Sequence, residues 1–341
     1  MMTQGSLRIG RFSVLLHRRG IVVAGVLLAL VFAIAILAVQ LGRYPMALPQ
    51  ILATLSGGGD AIAEMIVLDN RLPRILTAIG AGAAFGFAGA MFQTMLRNPL
   101  ASPDVIGFSA GASCGALMGM MAFGSTFVLP GALIGGLLTA FAVLALSWHR
   151  GIQPYRLILI GIGASLTLSA LADLMMSRLD MLTAAEMAKW LVGTLNARNW
   201  TDVIMIWIGL LILAPIALWL QFALSRLAME DDIATGLGVA LSPARLAVTV
   251  TGVVLVALAV SVVGPLPFVA FISGPIARRL VKGARPALLA AATVGALITL
   301  LADTAARAMP VVQLPAGVFT AVIGAPVLMW LLVVQFNKGK I

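Results

Sequence analysis

Apolar residues arrive along this chain in about ten blocks, each close to the 20 residues that a helix needs to cross a hydrocarbon core of roughly 30 Å. They fall at about 21–41, 74–95, 103–123, 127–147, 155–176, 202–222, 244–263, 268–281, 287–306 and 315–335, and short connections use up the rest of the 341 residues. Charged residues make up only 10% of the sequence, against about 25% in an average soluble domain. A water-soluble fold is excluded, and no polar stretch is long enough for a separate catalytic domain. The pattern predicts an all-α, polytopic membrane protein with residues 1–341 forming one transmembrane domain.

Lys and Arg number 22 against 12 Asp and Glu, a net +10. In a soluble chain that excess would raise nucleic acid as a partner. Here no nucleic acid is expected, because cationic excess on the cytoplasmic side is what orients membrane helices. With the N-terminus inside, the crossings put about two-thirds of the cations on the inner side, among them Arg8, Arg11, Arg18 and Arg19 in a basic segment 1–20. Both termini are then cytoplasmic. The run from Ile21 to Leu41 is too long for a signal peptide and no clear cleavage site follows it, so it reads as a retained first span. One cysteine, Cys114, excludes an internal disulfide and a multi-cysteine metal site.

Two connections look irregular, and such backbone survives at membrane depth only under cover of protein or a water-filled cavity. Gly264-Pro265-Leu266-Pro267 leads into a short block with Gly274-Pro275 at its middle, which is expected to sit deep in the bundle. Arg97-Asn98-Pro99-Leu100-Ala101-Ser102-Pro103-Asp104 reads as a tight inner turn opening the third helix, with Ser102 as N-cap, Pro103 at the first helical position and Asp104 in the first turn. Gly107, Gly111, Gly115 and Gly119 recur every four residues and are expected on one packing face of that helix.

Motifs for covalent chemistry lack their context. Gly107-Phe108-Ser109-Ala110-Gly111 has the G-x-S-x-G spacing of serine hydrolases, yet it falls within an apolar helix, and the two histidines, His17 and His149, lie far off along the chain. Ser109 is read as a small packing residue. No phosphate-binding loop of the G-x-x-x-x-G-K-[ST] type occurs, so any use of ATP belongs to another chain. Asp173 and Asp303 are the acids read at membrane depth, and Asp303 is expected to pair with Arg307 one turn on, near the outer surface. None of the acids is placed at the midplane. The loop at about 223–243 stands out through Glu230, Asp231 and Asp232, an acidic cluster on an otherwise basic face that would suit docking of a soluble subunit.

Several stretches then fall in one order from Arg71 to Leu332: Arg71-Leu72-Pro73-Arg74, Gly89-Ala90-Met91-Phe92-Gln93, Asn98-Pro99-Leu100-Ala101-Ser102-Pro103-Asp104, Trp190-Leu191-Val192-Gly193, Ile276-Ala277-Arg278-Arg279 and Leu314-Pro315-Ala316-Gly317. Together they resemble the FecCD family, the permease subunits of bacterial ABC importers for iron–siderophore complexes, haem and vitamin B12, and within it the ferric enterobactin-type permeases. The chain departs from the family at Gly274-Pro275, where many members have Pro-His.

The resemblance implies a type II ABC importer permease fold in the bacterial inner membrane, surrounded by lipid and paired with a second copy or a close homologue. It implies a pathway lined by the fifth and tenth helices, for which Leu157, Gly161, Ser165 and Leu168, and Val318, Val322 and Pro326, are the candidates. Two cytoplasmic ATPase subunits would dock through Glu230, Asp231, Asp232, Ala234, Leu237 and Gly238. A periplasmic binding protein would meet Arg43, Arg198 and Arg307. No cofactor, resident metal or catalytic residue is implied. The cargo would be a ferric siderophore, with haem or vitamin B12 as family alternatives and a stand-alone secondary carrier as the reading outside the family.

Overall fold

Apolar length decides where the helices run, and caps and prolines decide where they stop. The computed structural model describes residues 5–9, 12–16, 18–42, 44–149, 151–282, 286–309 and 314–336. An antiparallel hairpin, β1 (Gly5–Ile9) and β2 (Phe12–Leu16), leads into the helices. These are α1 (Arg18–Gln40), α2 (Leu48–Leu55), α3 (Ala61–Glu64), α4 (Leu72–Met95), α5 (Phe108–Phe123), α6 (Val128–Ser147), α7 (Pro154–Met176), α8 (Met181–Leu191), α9 (Trp200–Leu227), α10 (Asp231–Gly236), α11 (Leu241–Val263), α12 (Val269–Val281), α13 (Leu288–Ala308) and α14 (Ala316–Phe336). A π-helical stretch, Met65–Arg71, joins α3 to α4.

Among the described residues, eight helical segments are long and apolar enough to cross a membrane, with α3 and α4 counted as one. The shorter α5 and α12, of 16 and 13 residues, complete the ten expected blocks. At 1.5 Å per residue they reach about 24 and 20 Å, so neither spans a bilayer alone. The remaining short helices, α2, α3, α8 and α10, lie in the connections between spans. Caps set where helices start: Asp60 accepts from the Ala63 amide before α3, Asp180 from those of Leu182 and Thr183 before α8, and Asn199 and Asp202 cap the spanning α9 reciprocally.

The centre of the bundle is α4, which packs on α9, α11, α12 and α13 and is buried along most of its length. Lipid offers no hydrophobic drive between helices, so close approach through small residues substitutes for it. A β-carbon on Gly86 would lie 2.2 Å from the Ala291 carbonyl oxygen, and one on Gly82 would lie 2.4 Å from that of Gly295. Between α5 and α6 the same close approach runs through Gly111, Gly115 and Gly119 against Gly135, Gly131 and Phe127.

Gly107 does not belong to that packing face. It stands outside α5 at φ +75°, the left-handed region open to glycine, and breaks the chain between α5 and a 3₁₀ turn at Pro103–Ile106. Ser102 caps the 3₁₀ turn, not the third spanning helix, because the left-handed residue re-aims the backbone before α5 begins.

Within α12, Pro275 lacks the N–H that the Phe271 carbonyl would otherwise receive. Gln93, buried on α4, fills the gap: its Nε2 donates to Phe271 O at 2.7 Å, and its Oε1 accepts from Arg278 Nη2 at 3.1 Å. A side chain at Gly274 would meet that same Oε1 at 2.1 Å. The Gly274-Pro275 departure is therefore matched by a polar side chain from the neighbouring helix.

Candidate functional site

Three features lie at different depths of the bundle. At the end that carries the C-terminus of α9, the six residues of α10 form a short helix between α9 and α11. Met229, Ile233 and Leu237, spaced four apart, are each about half exposed, and Glu230 and Asp232 flank them in the open. Asp231 and Ala234 are placed differently from the docking role expected of them. Ala234 is wholly buried, and Asp231 turns inward. Its carboxylate accepts from Arg245 Nη2 at 2.7 and 2.8 Å and from Arg97 Nη2. Burial works against ionisation of Asp231, but the hydrogen bonds and charges of Arg245 and Arg97 outweigh it and hold its carboxyl below the ordinary range. These two residues hold the element, and the apolar trio with Glu230 and Asp232 faces out. Gly238, at φ +80°, turns the chain away after it.

Near the middle of the bundle is a cavity of about 330 Å³ lined by Phe85 from mid-α4 and Val256 from mid-α11. The two irregular connections reach it from opposite ends of the bundle: Ser102, Pro103 and Asp104 from one, Pro265 to Phe268 from the other. Each of the short helices therefore starts at this cavity, α5 with Ser109 and α12 with Ala270 and Phe271. Asp104 is an exposed carboxylate on its wall, accepting hydrogen bonds from Ser109 Oγ and from Ser102 Oγ at 3.1 Å. An acid does sit at mid-depth, contrary to the sequence expectation, because the connection before α5 re-enters the bundle instead of staying at its surface. Ser109 is likewise more than a packing residue, since its hydroxyl orients that acid.

None of the nominated pathway residues lines this cavity. Leu157 and Gly161 are buried, and the α7 face carrying them packs on α5 and the 3₁₀ turn. A β-carbon on Gly107 would lie 3.1 Å from Ser165 Oγ. Leu168 and Val318 are half-buried, while Val322 and Pro326 face outward from α14. Leu157 and Gly161 thus share one face of α7, and that face packs within the chain.

At the opposite end from α10, a cavity of about 590 Å³ is lined by Arg71, Arg74 and Arg307, with Asp69, Asn70 and Asn196. The π-helical stretch brings Arg71 to the cavity, and Trp200 Nε1 donates to its Leu68 carbonyl at 3.0 Å. Arg71 is almost wholly buried and donates to the carbonyls of Val39, Gln40 and Tyr44. Arg74 and Arg307 share the buried Asp303. Arg307 Nε lies 3.2 Å from Asp303 Oδ2 but is not aligned for a hydrogen bond, and its Nη2 has no partner among the described residues. Arg74 and Arg307 thus share one buried carboxylate while Arg71 meets only carbonyls, so three guanidinium groups against Asp303 and the exposed Asp69 leave the wall with a net positive charge, suited to an incoming acidic side chain.

Asp303 makes the expected i,i+4 ion pair with Arg307 at 3.2 Å, and Arg74 from another helix adds the hydrogen-bonded contact that the sequence did not indicate. Among the arginines expected to meet a binding protein, Arg307 lines this cavity. Arg198 does not: it pairs with Asp202 at 3.9 Å and donates to the carbonyls of Asn196 and Val262, so its charge is used within the chain. Arg43 lies outside the described residues.

A multi-pass helical bundle with discontinuous helices meeting at a mid-depth cavity, and with no nucleotide-binding loop in its sequence, has the architecture of a transporter's membrane-spanning subunit. This chain belongs to the FecCD transport family, which it matches over residues 27–334. It is 39% identical over 293 residues to the ferric enterobactin transport system permease protein FepG of Escherichia coli strain K12, covering 85% of this chain and 88% of that protein. It is 36% identical over 327 residues to the Fe(3+)-citrate import system permease protein YfmE of Bacillus subtilis strain 168, covering 94% and 98%. Among solved structures, it matches one described as an inward-facing conformation of a metal-chelate type ABC transporter, with a TM-score of 0.82 and 30% identity over 92% of this chain and 99% of that one.

Proposed function

We propose that this chain is the permease subunit of an ATP-driven importer that carries a ferric siderophore across the bacterial inner membrane. The observation that carries the reading is α10, a short helix held from beneath by the Asp231–Arg245 ion pair and presenting Met229, Ile233 and Leu237 to solvent. Three neighbouring apolar side chains flanked by acids on a loop form the kind of rimmed apolar patch that a partner protein covers. An ATPase subunit suits the position, with basic groups against Glu230 and Asp232. The α10 face is then cytoplasmic, as are both termini, in accord with the cation bias.

On the outer face, the arginine cavity receives an acidic side chain of the substrate-binding protein. Two copies of the chain, or this chain and a close homologue, meet through α7 and α14, with Val318, Val322 and Pro326 toward the pathway. The relatives' names favour an iron chelate over haem or vitamin B12. ATP hydrolysis opens and closes the pathway through the partner, and no step requires a catalytic residue here.

Uptake by cells that lack this chain tests the cargo. Labelled ferric siderophore uptake is lost and restored by the gene, while haem and vitamin B12 uptake are unchanged. Loss of haem or vitamin B12 uptake instead assigns the chain to that cargo.

A further inference from the structure

We infer that Asp231 is a joint through which movement of α10 reaches the wall of the mid-depth cavity, with Arg97 as the moving contact and Arg245 as the pivot. The inference rests on the reading of α10 as the ATPase docking element. One Asp231 oxygen accepts from both arginines. The two pairs differ in character. Arg245 is nearly buried on α11 and grips both oxygens, whereas the Arg97 pair is more than one-third exposed on both sides. Arg245 reaches both oxygens through a single nitrogen of a guanidinium fixed by its buried surroundings, while the partly exposed guanidinium of Arg97 has room to move with Asp231.

Arg97 is the first residue beyond α4 to leave the helix direction, at φ +52°. Its Nε donates to Leu227 O, at the end of α9, at 2.9 Å, so it touches α9 and α10 at once. From there to the cavity the chain has little slack. Asn98 Oδ1 accepts from the Leu100 amide at 2.9 Å, and the Ala101 amide donates to Asn98 O at 3.0 Å. Ser102 then caps the 3₁₀ turn, and Asp104 is held by Ser102 and Ser109. Pro99 and Pro103 stiffen the same run. A shift of α10 that carries Asp231 along pulls on Arg97, and this run delivers the shift to Ser102 and Asp104 on the cavity wall without bending any spanning helix. Coupling requires a contiguous, discrete element of this kind.

The test uses the complete transporter, with its ATPase and binding protein, in lipid vesicles. In the wild-type complex, ATP changes hydrogen exchange at residues 97–104 together with 228–237. The Arg97→Gln variant keeps its assembly and keeps ATP hydrolysis within about twofold, but its uptake per ATP falls by about tenfold or more, and Arg97→Lys recovers at least about half of that ratio. Normal uptake per ATP in Arg97→Gln overturns the inference, as does loss of ATP hydrolysis in step with uptake. If that variant fails to fold, the wild-type exchange decides: protection changing at 228–237 with none at 97–104 overturns the joint. A wild-type chain that binds no ATPase defeats the docking reading instead, and is recognised by absent assembly rather than by uncoupled hydrolysis.

Discussion

Asp303 of α13 lies wholly buried and accepts from Nε and Nη2 of Arg74 on α4, at 3.0 and 2.7 Å, across 229 positions of sequence. Arg307, one turn along α13, shares the same carboxylate. The pairing fastens α4 to α13 at their ends away from α10 and neutralises one of the three arginines around the cavity there.

Removing the acid leaves two guanidinium groups without a counter-charge in a covered site. Breaking one side of a buried pair costs about 3–5 kcal/mol, so Asp303→Ala lowers unfolding stability by that order. Thermal unfolding of the purified protein in detergent checks this. Wild-type stability in the variant contradicts the structural role of the pair.

The arginine-lined cavity gives a prediction about binding rather than folding. Arg71 has carbonyl partners within the chain but no carboxylate. Arg71→Gln weakens binding of the substrate-binding protein by 2 kcal/mol or more, which is about thirtyfold in Kd, and flattens its salt dependence. Calorimetric titration onto the permease in nanodiscs measures both. A Kd and salt slope equal to wild type remove the cavity from the interface.

Helix packing is tested by two glycines chosen for contrast. A methyl at Gly86 meets the Ala291 backbone, which cannot retreat without separating α4 from α13, whereas one at Gly163 on α7 meets nothing within 4 Å. Gly86→Ala loses about 1–3 kcal/mol of stability, and Gly163→Ala changes it by less than about 0.5 kcal/mol. Equal effects at the two sites contradict the close approach of α4 and α13.

The α10 surface is expected to lose its partner when its apolar trio is made charged. Ile233→Glu with Leu237→Glu abolishes co-purification of the ATPase while leaving the unfolding temperature of the isolated permease unchanged, because both side chains are half exposed. Retained co-purification moves the docking site elsewhere.

What the sequence revealed and what it concealed follows from the range of each interaction. Spanning helices announce themselves through composition over about 20 residues, and the short α12 with its Gly-Pro pair was visible for the same reason. The stretch from Ile233 reads as a short helix before a glycine turn, and α10 forms there, whereas α2, α3 and α8 are too short to give a run of spanning length even though Asp60 and Asp180 are recognisable caps. Arg74 and Asp303, or Arg97 and Asp231, meet across more than a hundred positions, and nothing local marks either partner. Periodicity grouped Leu157, Gly161 and Ser165 onto one face of α7, yet a period carries no information about which neighbour that face meets. The four-residue spacing of Met229, Ile233 and Leu237 stands beside the acidic cluster in the sequence, but only the fold shows that this apolar face is left uncovered.

The central claim is that the chain is a passive conduit driven by a partner's ATP. It is tested most directly by measuring ferric-chelate uptake into vesicles holding the purified chain alone, then with ATPase, binding protein and ATP added. Uptake that is absent in the first case and present in the second is the expected result; accumulation by the chain alone, with or without an ion gradient, contradicts it.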